Sequence, residues 1–424
     1  MSDTEKPVWV WLPGAADPIR AGLFTLQHGL GRFVYDPNYL ERAGALPLDP
    51  FSLPFTPSRR GATESRQGGL FGVFRDASPE GFGLALLEQG LGQTLTDPMQ
   101  RLELSEGDAV GAIEVCDDIA SKLAFRAPAS TELFEVLDTL PQQRPSSQAA
   151  REIKGLKGTS LGGERPKLTV THKGQLWIAK LQEQADPPHA PLREYIAMRV
   201  AARCGIQAAV VEFERAGARE VLLVKRFDRH VDADGRTFRQ LYASAHTVLK
   251  LDVQTRGERE RSYVAFAHEL QRWCGLRDVD ARELKRELWR RMAFNAICGN
   301  GDDHPRNHGL LHREGRWALS DAFDIAPYIT FSRTLAMAIT RQGSAMACTH
   351  NLLLNCDSFA YEPEEARHYI KECRELVPQY WSDELHALGM DRGCLPAPSM
   401  EWLDDVPEPA RAPQGRLRVR AGAR

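Results

Sequence analysis

The chain has 424 residues, 42% of them hydrophobic and 26% charged, with a formal net charge of −3. These proportions exclude global disorder and a fibrous architecture, and the near-neutral balance offers no general attraction to nucleic acid. The length exceeds what one hydrophobic core serves, so two or three domains or lobes with a cleft between them are expected.

The N-terminal ten residues are acidic and polar before the first apolar run, and no stretch approaches the roughly 18 apolar residues of a membrane span. Eight scattered cysteines contain no CxxC pair for zinc or redox work, which fits a reducing cytoplasm. Residues 8–48 read as short strands broken by Gly14, Gly22 and the Gly29 and Gly31 pair. Ser78, Pro79 and Glu80 make a helix start before the apolar residues 84–87. Residues 131–140 predict a helix between Pro128 and Pro141, followed by the polar run 142–148, and the first domain boundary is placed in that region.

Next comes a loop at 157–164, then two alternating runs, 167–171 and 175–181, joined by His172, Lys173 and Gly174 as a hairpin. A helical pattern over 192–204 stops at Gly205, and strands are expected at 208–214 and 220–227. Beyond Asp228 the pattern is mainly helical: 263–273, then 281–298 with Leu284, Leu288, Met292 and Ala296 on one stripe. The prediction is therefore an α+β chain with four parts. A mixed N-terminal subdomain covers 1–130, a β-rich small lobe 151–229 and a helical large lobe 230–405. The arginine- and proline-containing tail 406–424 has few large apolar residues and is expected to be disordered.

The run CGNGDDHPRNHG at 298–309 places Asp302, Asp303, His304, Asn307 and His308 directly after a long helix. Such a loop fills a core poorly. In protein kinases an aspartate accepts the hydroxyl proton and an asparagine five residues later holds Mg²⁺. Asp302 and Asn307 have that spacing, whereas Asp303 does not. In the segment DAFDIAP at 321–327, Asp324 is preferred to Asp321 as the second Mg²⁺ carboxylate. Taken alone, Asp302 and Asn307 would equally suit an Asx-turn and a helix cap. His304 and His308 are four apart, but without an H-E-x-x-H pattern, and with Pro305 between them, they do not suggest zinc. His304 is read as orienting the loop and lining the nucleotide site.

In the expected strand 175–181, Lys180 shares a face with Leu176 and Ile178, an unusual place for a cation unless it reaches a buried anion such as ATP phosphate. Gly162 and Gly163, with Arg165 and Lys167, would cover phosphates through unhindered backbone amides and positive charge. Glu194, in the first turn of the following helix, is the candidate partner of Lys180.

Several separated motifs, in order, carry a family resemblance. They are YDP at 35–37, LPL at 46–48, ASPEGF at 77–82, GDAVGA at 107–112, residues 160–167, KRFDR at 225–229, Asp302 to Asn307, and AFDI at 322–325. On these the sequence resembles full-length HipA-family kinases, the toxins of bacterial toxin–antitoxin systems. The resemblance implies an N-terminal subdomain on a two-lobed kinase core, with Lys225 to Phe227 as the hinge whose backbone holds adenine. It marks Ser160 as an autophosphorylation site and implies a serine or threonine of a cellular protein as acceptor, aminoacyl-tRNA synthetases being the best-known class. It also implies a helix-turn-helix antitoxin that carries the kinase to operator DNA. The other readings weighed are a small-molecule kinase on the same scaffold and a corepressor that merely retains a nucleotide site.

Overall fold

The computed structural model describes residues 4–55, 61–153, 159, 161–252, 259–275, 278–327 and 333–404. Ser160 and the tail 406–424 lie outside the described residues.

The N-terminal part is a five-stranded antiparallel sheet in the order β4-β3-β2-β1-β5, formed by β1 (Thr4–Val10), β2 (Ile19–Gln27), β3 (Leu30–Tyr35), β4 (Ala62–Glu64) and β5 (Ile113–Val115). Gly22 and Gly31 do not break strands as expected. Each lies within one, because a Cβ on Gly22 would sit 2.2 Å from the Val34 carbonyl oxygen and one on Gly31 would sit 1.9 Å from that of Gly69. The expected helix start at Ser78 to Glu80 is also displaced. Glu80 is the N-cap position of α1 (Gly81–Leu91), and Ser78 and Pro79 precede the helix.

The predicted boundary region instead covers the small lobe. That lobe is a four-stranded antiparallel sheet, β6-β7-β9-β8, built from β6 (Lys167–His172), β7 (Gln175–Leu181), β8 (Val211–Ala216) and β9 (Arg219–Lys225). One face carries Leu168, Val170, Trp177, Ala179, Leu181, Val221 and Leu223. Leu133 and Leu137 of α2 (Ser130–Thr139), together with Ala149, Ala150 and Ile153, close over it. Two prolines and a polar run suggest a domain boundary, yet the apolar residues between them are what this sheet face needs for burial. The lobe's second helix, α3 (Ala190–Arg203), packs against the other side and ends before Gly205 at φ +80°.

The large lobe is built on α4 (Tyr263–Cys274) and α5 (Asp278–Cys298), which pack together, with α6 (Pro363–Ala387) alongside. In α5, Leu288, Trp289, Met292, Ala293, Phe294, Ala296 and Ile297 are all buried, so the expected single stripe is too narrow for the C-terminal half of the helix. That half runs through the lobe's centre, where each large apolar side chain contributes roughly 1.5–3 kcal/mol of burial. A small sheet, β10-β11-β12, from β10 (Tyr242–Ser244), β11 (Gly309–Arg313) and β12 (Arg316–Leu319), holds the far end of the loop that follows α5. The whole is an α+β, two-lobed kinase-like fold carrying an N-terminal subdomain, and one continuous apolar core runs from that subdomain through α3 into the large lobe. No described helix is long and apolar enough to cross a membrane. The eight cysteines are free thiols, seven of them buried.

Candidate active site

A cleft of about 410 Å³ lies where the two lobes and the N-terminal subdomain meet. Its roof is β7. Alternation sends Trp177, Ala179 and Leu181 into the small-lobe core, which turns Ile178 and Lys180 toward the cleft. β7 lies between β6 and β9, so Lys180 is on a central strand and not on a solvated edge.

The Lys180 ammonium donates to Glu194 Oε1 at 2.5 Å and also to Asp324 Oδ1. Glu194 is the fifth residue of α3, which begins at Ala190, two residues earlier than the sequence pattern suggested. It therefore sits in the second helical turn, buried, and is not a solvated first-turn charge. Burial opposes the charge on Lys180, but the two carboxylates outweigh it and raise its pKa. Asp324 is likewise penalised by burial, yet Lys180 and then Lys167 hold it well below the usual carboxylate range. Glu194 goes the other way, because its desolvation exceeds its share of the Lys180 charge.

Asp324 is delivered from below. The strand expected at 208–214 starts three residues late, at Val211, because 207–209 pair with the segment that carries Asp324. The Ala322 N–H donates to the Gln207 carbonyl and the Ala209 N–H to the Ala322 carbonyl, both at 2.8 Å. Asp324 has φ +60°, a left-handed conformation that costs a non-glycine residue on the order of 1 kcal/mol and persists only where the surroundings impose it. Asp321 faces elsewhere, accepting from Gln207 Nε2 at 2.6 Å.

The loop after α5 turns at Gly299, φ +76°, and places Asp302, His304 and Asn307 on the floor of the cleft. Asp302 is exposed there, while Asn307 is buried and its amide donates to the Asp302 carbonyl at 3.4 Å. Asp303 has the opposite orientation. It is 2% exposed, and its Oδ2 accepts from the Tyr263 hydroxyl and, at 2.7 Å, from Asn295 Nδ2, with His308 Nε2 also at 2.7 Å. Asp303 thus anchors the loop and removes His308 from any pairing with His304. Among the described residues, the one His and carboxylate group close enough for a metal is His172, Glu212 and Glu214, at the opposite end of β6 from Lys167.

Gly162, Gly163 and Lys167 line the upper cleft, Gly163 at φ +101°. Burial and then the neighbouring Lys180 lower the Lys167 pKa, and no carboxylate among the described residues bonds its ammonium. Arg165 is drawn to Asp186 at 3.8 Å. At the back, Lys225 and Phe227 line the cleft, the Arg226 N–H donates to the Leu176 carbonyl at 3.0 Å, and the Phe227 ring lies 5.3 Å from that of Phe323.

Three contributors escaped sequence reasoning. Asn300 is buried and donates to Asn295 Oδ1 at 3.1 Å and to the Asp324 carbonyl at 3.4 Å, tying the two acidic loops together. Glu80 accepts from both Arg306 and Arg75, which fastens the N-terminal subdomain to the loop of Asp302. Arg226 forks onto Asp228 at 3.0 and 2.7 Å and reaches the Asp108 carbonyl at 2.8 Å. The segments CGNGDDHPRNHG, ASPEGF and KRFDR contained these residues, but nothing in their spacing revealed the partners.

Two family models match the chain: the HipA-like C-terminal domain over residues 159–381 and the HipA N-terminal domain over 10–116. Y4mE of Sinorhizobium fredii is 27% identical over 367 residues, 80% of this chain and 82% of that protein. The serine/threonine-protein kinase toxin HipA of Shewanella oneidensis is 24% identical over 287 residues, 62% of this chain and 64% of that protein. Among solved structures, HipA of Shewanella oneidensis MR-1, in a complex with HipB and operator DNA, superposes with a TM-score of 0.66 at 19% identity. That match covers 93% of both chains.

Proposed function

This chain belongs to the HipA family, and from that premise we propose that it transfers the γ-phosphoryl group of ATP to a serine or threonine hydroxyl of a cellular protein. The observation that carries the reading is the Lys180 ammonium held between Glu194 and Asp324, across a cleft whose floor presents Asp302 and Asn307. That is the set of parts a kinase needs to position phosphates and an incoming hydroxyl.

In this reading Asp302 accepts the proton of the acceptor hydroxyl as its oxygen bonds to phosphorus and the bond to ADP breaks. Asp302 suits the task because its carboxylate is exposed to the cleft, whereas that of Asp303 is fully engaged inside the lobe. Lys180 and Lys167 supply positive charge to the phosphates, and Gly162 and Gly163 let the covering backbone approach. The backbone of Lys225 to Phe227 would receive the adenine, and His304 would line the nucleotide site beside Asp302.

The donor set fits Mg²⁺: a carboxylate from Asp324 and an amide oxygen from Asn307 are hard oxygen ligands, and the Asn307 side-chain NH₂ already donates to the Asp302 carbonyl. When bound, that ion would supply positive charge against the phosphates. Ser160, two residues before Gly162 in the chain, is the proposed autophosphorylation site; a phosphate there adds about −1.5 to −2 charge to a segment proposed to meet another anion, which would disfavour nucleotide binding. A helix-turn-helix antitoxin is the proposed partner, DNA being reached through it, and an aminoacyl-tRNA synthetase is the proposed acceptor class.

The test is radiolabel transfer to cell lysate, with phosphosites mapped by mass spectrometry, for the wild type, Asp302→Asn and Asp324→Asn. Asp302→Asn is expected to bind Mg²⁺-ATP by calorimetry yet transfer nothing, and Asp324→Asn to lose metal-dependent binding as well. Undiminished turnover in either variant removes that residue from the catalytic set.

A further inference from the structure

The motif GDAVGA at 107–112 lies in the N-terminal subdomain, yet its aspartate bonds residues of the kinase lobe. Asp108 is 0% exposed, and its Oδ2 accepts from the Thr159 hydroxyl at 2.7 Å and from the Thr169 hydroxyl at 3.0 Å. Its main-chain carbonyl accepts from Arg226 at 2.8 Å. One residue therefore joins the start of the phosphate loop, the strand that follows it and the hinge. Hydroxyl donors to a buried carboxylate form charge-assisted bonds, and a carboxylate deprived of them in that position is strongly penalised.

The neighbouring α1 completes the seat. The Phe82 N–H donates to the Gly163 carbonyl at 2.9 Å. A Cβ on Gly81 would lie 2.4 Å from the Gly163 carbonyl oxygen, and one on Gly83 would lie 2.4 Å from that of Leu161 and 2.7 Å from that of Thr159. Only glycine lets the loop backbone lie this close to the helix. Leu161 and Thr159 are both buried as a result.

We propose that Asp108 is a positioning residue for nucleotide binding: from the N-terminal subdomain it holds the phosphate loop, through Thr159, in the conformation that places Gly162, Gly163 and Lys167 over the phosphates. This rests on the kinase reading above for its consequence, though the seating itself does not. Asp108 does not touch the reacting atoms, so its loss changes how readily ATP is held more than how fast a held ATP reacts.

The experiment uses the full-length protein as Asp108→Asn, Thr159→Val and Gly83→Ala. Each perturbs the seat from a different side, so failure of one variant to fold leaves two. Hydrogen exchange of the amides of residues 161–163 is measured without nucleotide, alongside global melting, and KM for ATP and kcat are measured separately. Expected are loop exchange at least about tenfold faster in a protein that still melts cooperatively, and a KM for ATP raised about tenfold with kcat within about threefold. Loop exchange unchanged in the folded variants overturns the proposal. So does a fall in kcat with KM intact. Faster loop exchange with ATP affinity unchanged also overturns it, whereas a wild type that binds no ATP counts instead against the kinase reading.

Discussion

Lys180 faces two carboxylates with one charge, and the asymmetry between them is informative. Glu194 comes from a rigid helix and is buried, whereas Asp324 comes from a loop, keeps a third of its side chain exposed and sits at a positive φ. A ligand that shares Asp324 would leave Lys180 still oriented by Glu194. Lys180→Met keeps much of the length of the stem and removes the charge, so both carboxylates lose their cation and the phosphates lose a point charge in a partly dry cleft. The expected outcome is phosphoryl transfer reduced by two to three orders of magnitude, roughly 3–4 kcal/mol in barrier. Steady-state kinetics checks this, and an effect below about threefold would make Lys180 a structural lysine. The choice between neighbouring aspartates was legible in part. Spacing favoured Asp302 over Asp303 in advance, but the reason Asp303 is unsuitable, its three donors at 2% exposure, needed the packed lobe.

At the scale of elements, the segment after β9 is held by buried charge. Asp228 is penalised by burial, but the Arg226 guanidinium outweighs this and, with Arg229 and the Gly111 N–H, brings its pKa down to about 2 from 3.8. A carboxylate whose folded pKa is depressed stabilises the fold above its unfolded value, and that contribution is lost as pH falls through the folded one. Stability from this group is thus full above about pH 4 and disappears toward about pH 2, an effect of about 2 kcal/mol. Asp228→Asn strands Arg226 in the interior, and at neutral pH it is expected to cost roughly 3–5 kcal/mol. Denaturant titrations at pH 7 and pH 2.5 check both: the wild type should lose stability between them through this group, while the variant should lack that component. If the difference between the two proteins is the same at both pH values, the linkage is absent. The hinge itself was named from the family resemblance alone, because its partners at 107–111 are more than a hundred residues away in the chain.

In the molecule as a whole, one apolar core joins the N-terminal subdomain, α3 and the large lobe, beside the separate core that α2 closes in the small lobe. Trp11, immediately after β1, is buried with the Arg239 guanidinium 3.8 Å from its ring centroid, and Glu80 reaches across to Arg306. The N-terminal subdomain is thereby part of the kinase fold, not an appended module. Calorimetry of the full chain is expected to show a single cooperative transition, and a chain lacking residues 1–130 is expected to be insoluble because it exposes the inner face of that core. Two separated transitions, or a soluble truncated protein with native-like near-ultraviolet circular dichroism, would contradict this.

The sequence by itself determined the local chemistry. Alternation in 175–181 put Lys180 on the cleft face, a five-residue spacing separated Asp302 from Asp303, and Gly205 ended α3, because these properties depend on periods of 2 and 3.6 and on single-residue conformational limits. Only the tertiary structure decided which segments meet. Residues 130–153 read as a helix at a domain boundary yet cover a sheet face, and Gly22 and Gly31 look like breaks yet lie inside strands where another backbone leaves no room for a Cβ. Asp108 reads as one acid in a short motif yet bonds Thr159, 51 residues away. Such contacts are chosen by the fit of whole surfaces and by the need of buried polar groups for partners, and neither leaves a period in the chain for a sequence to display.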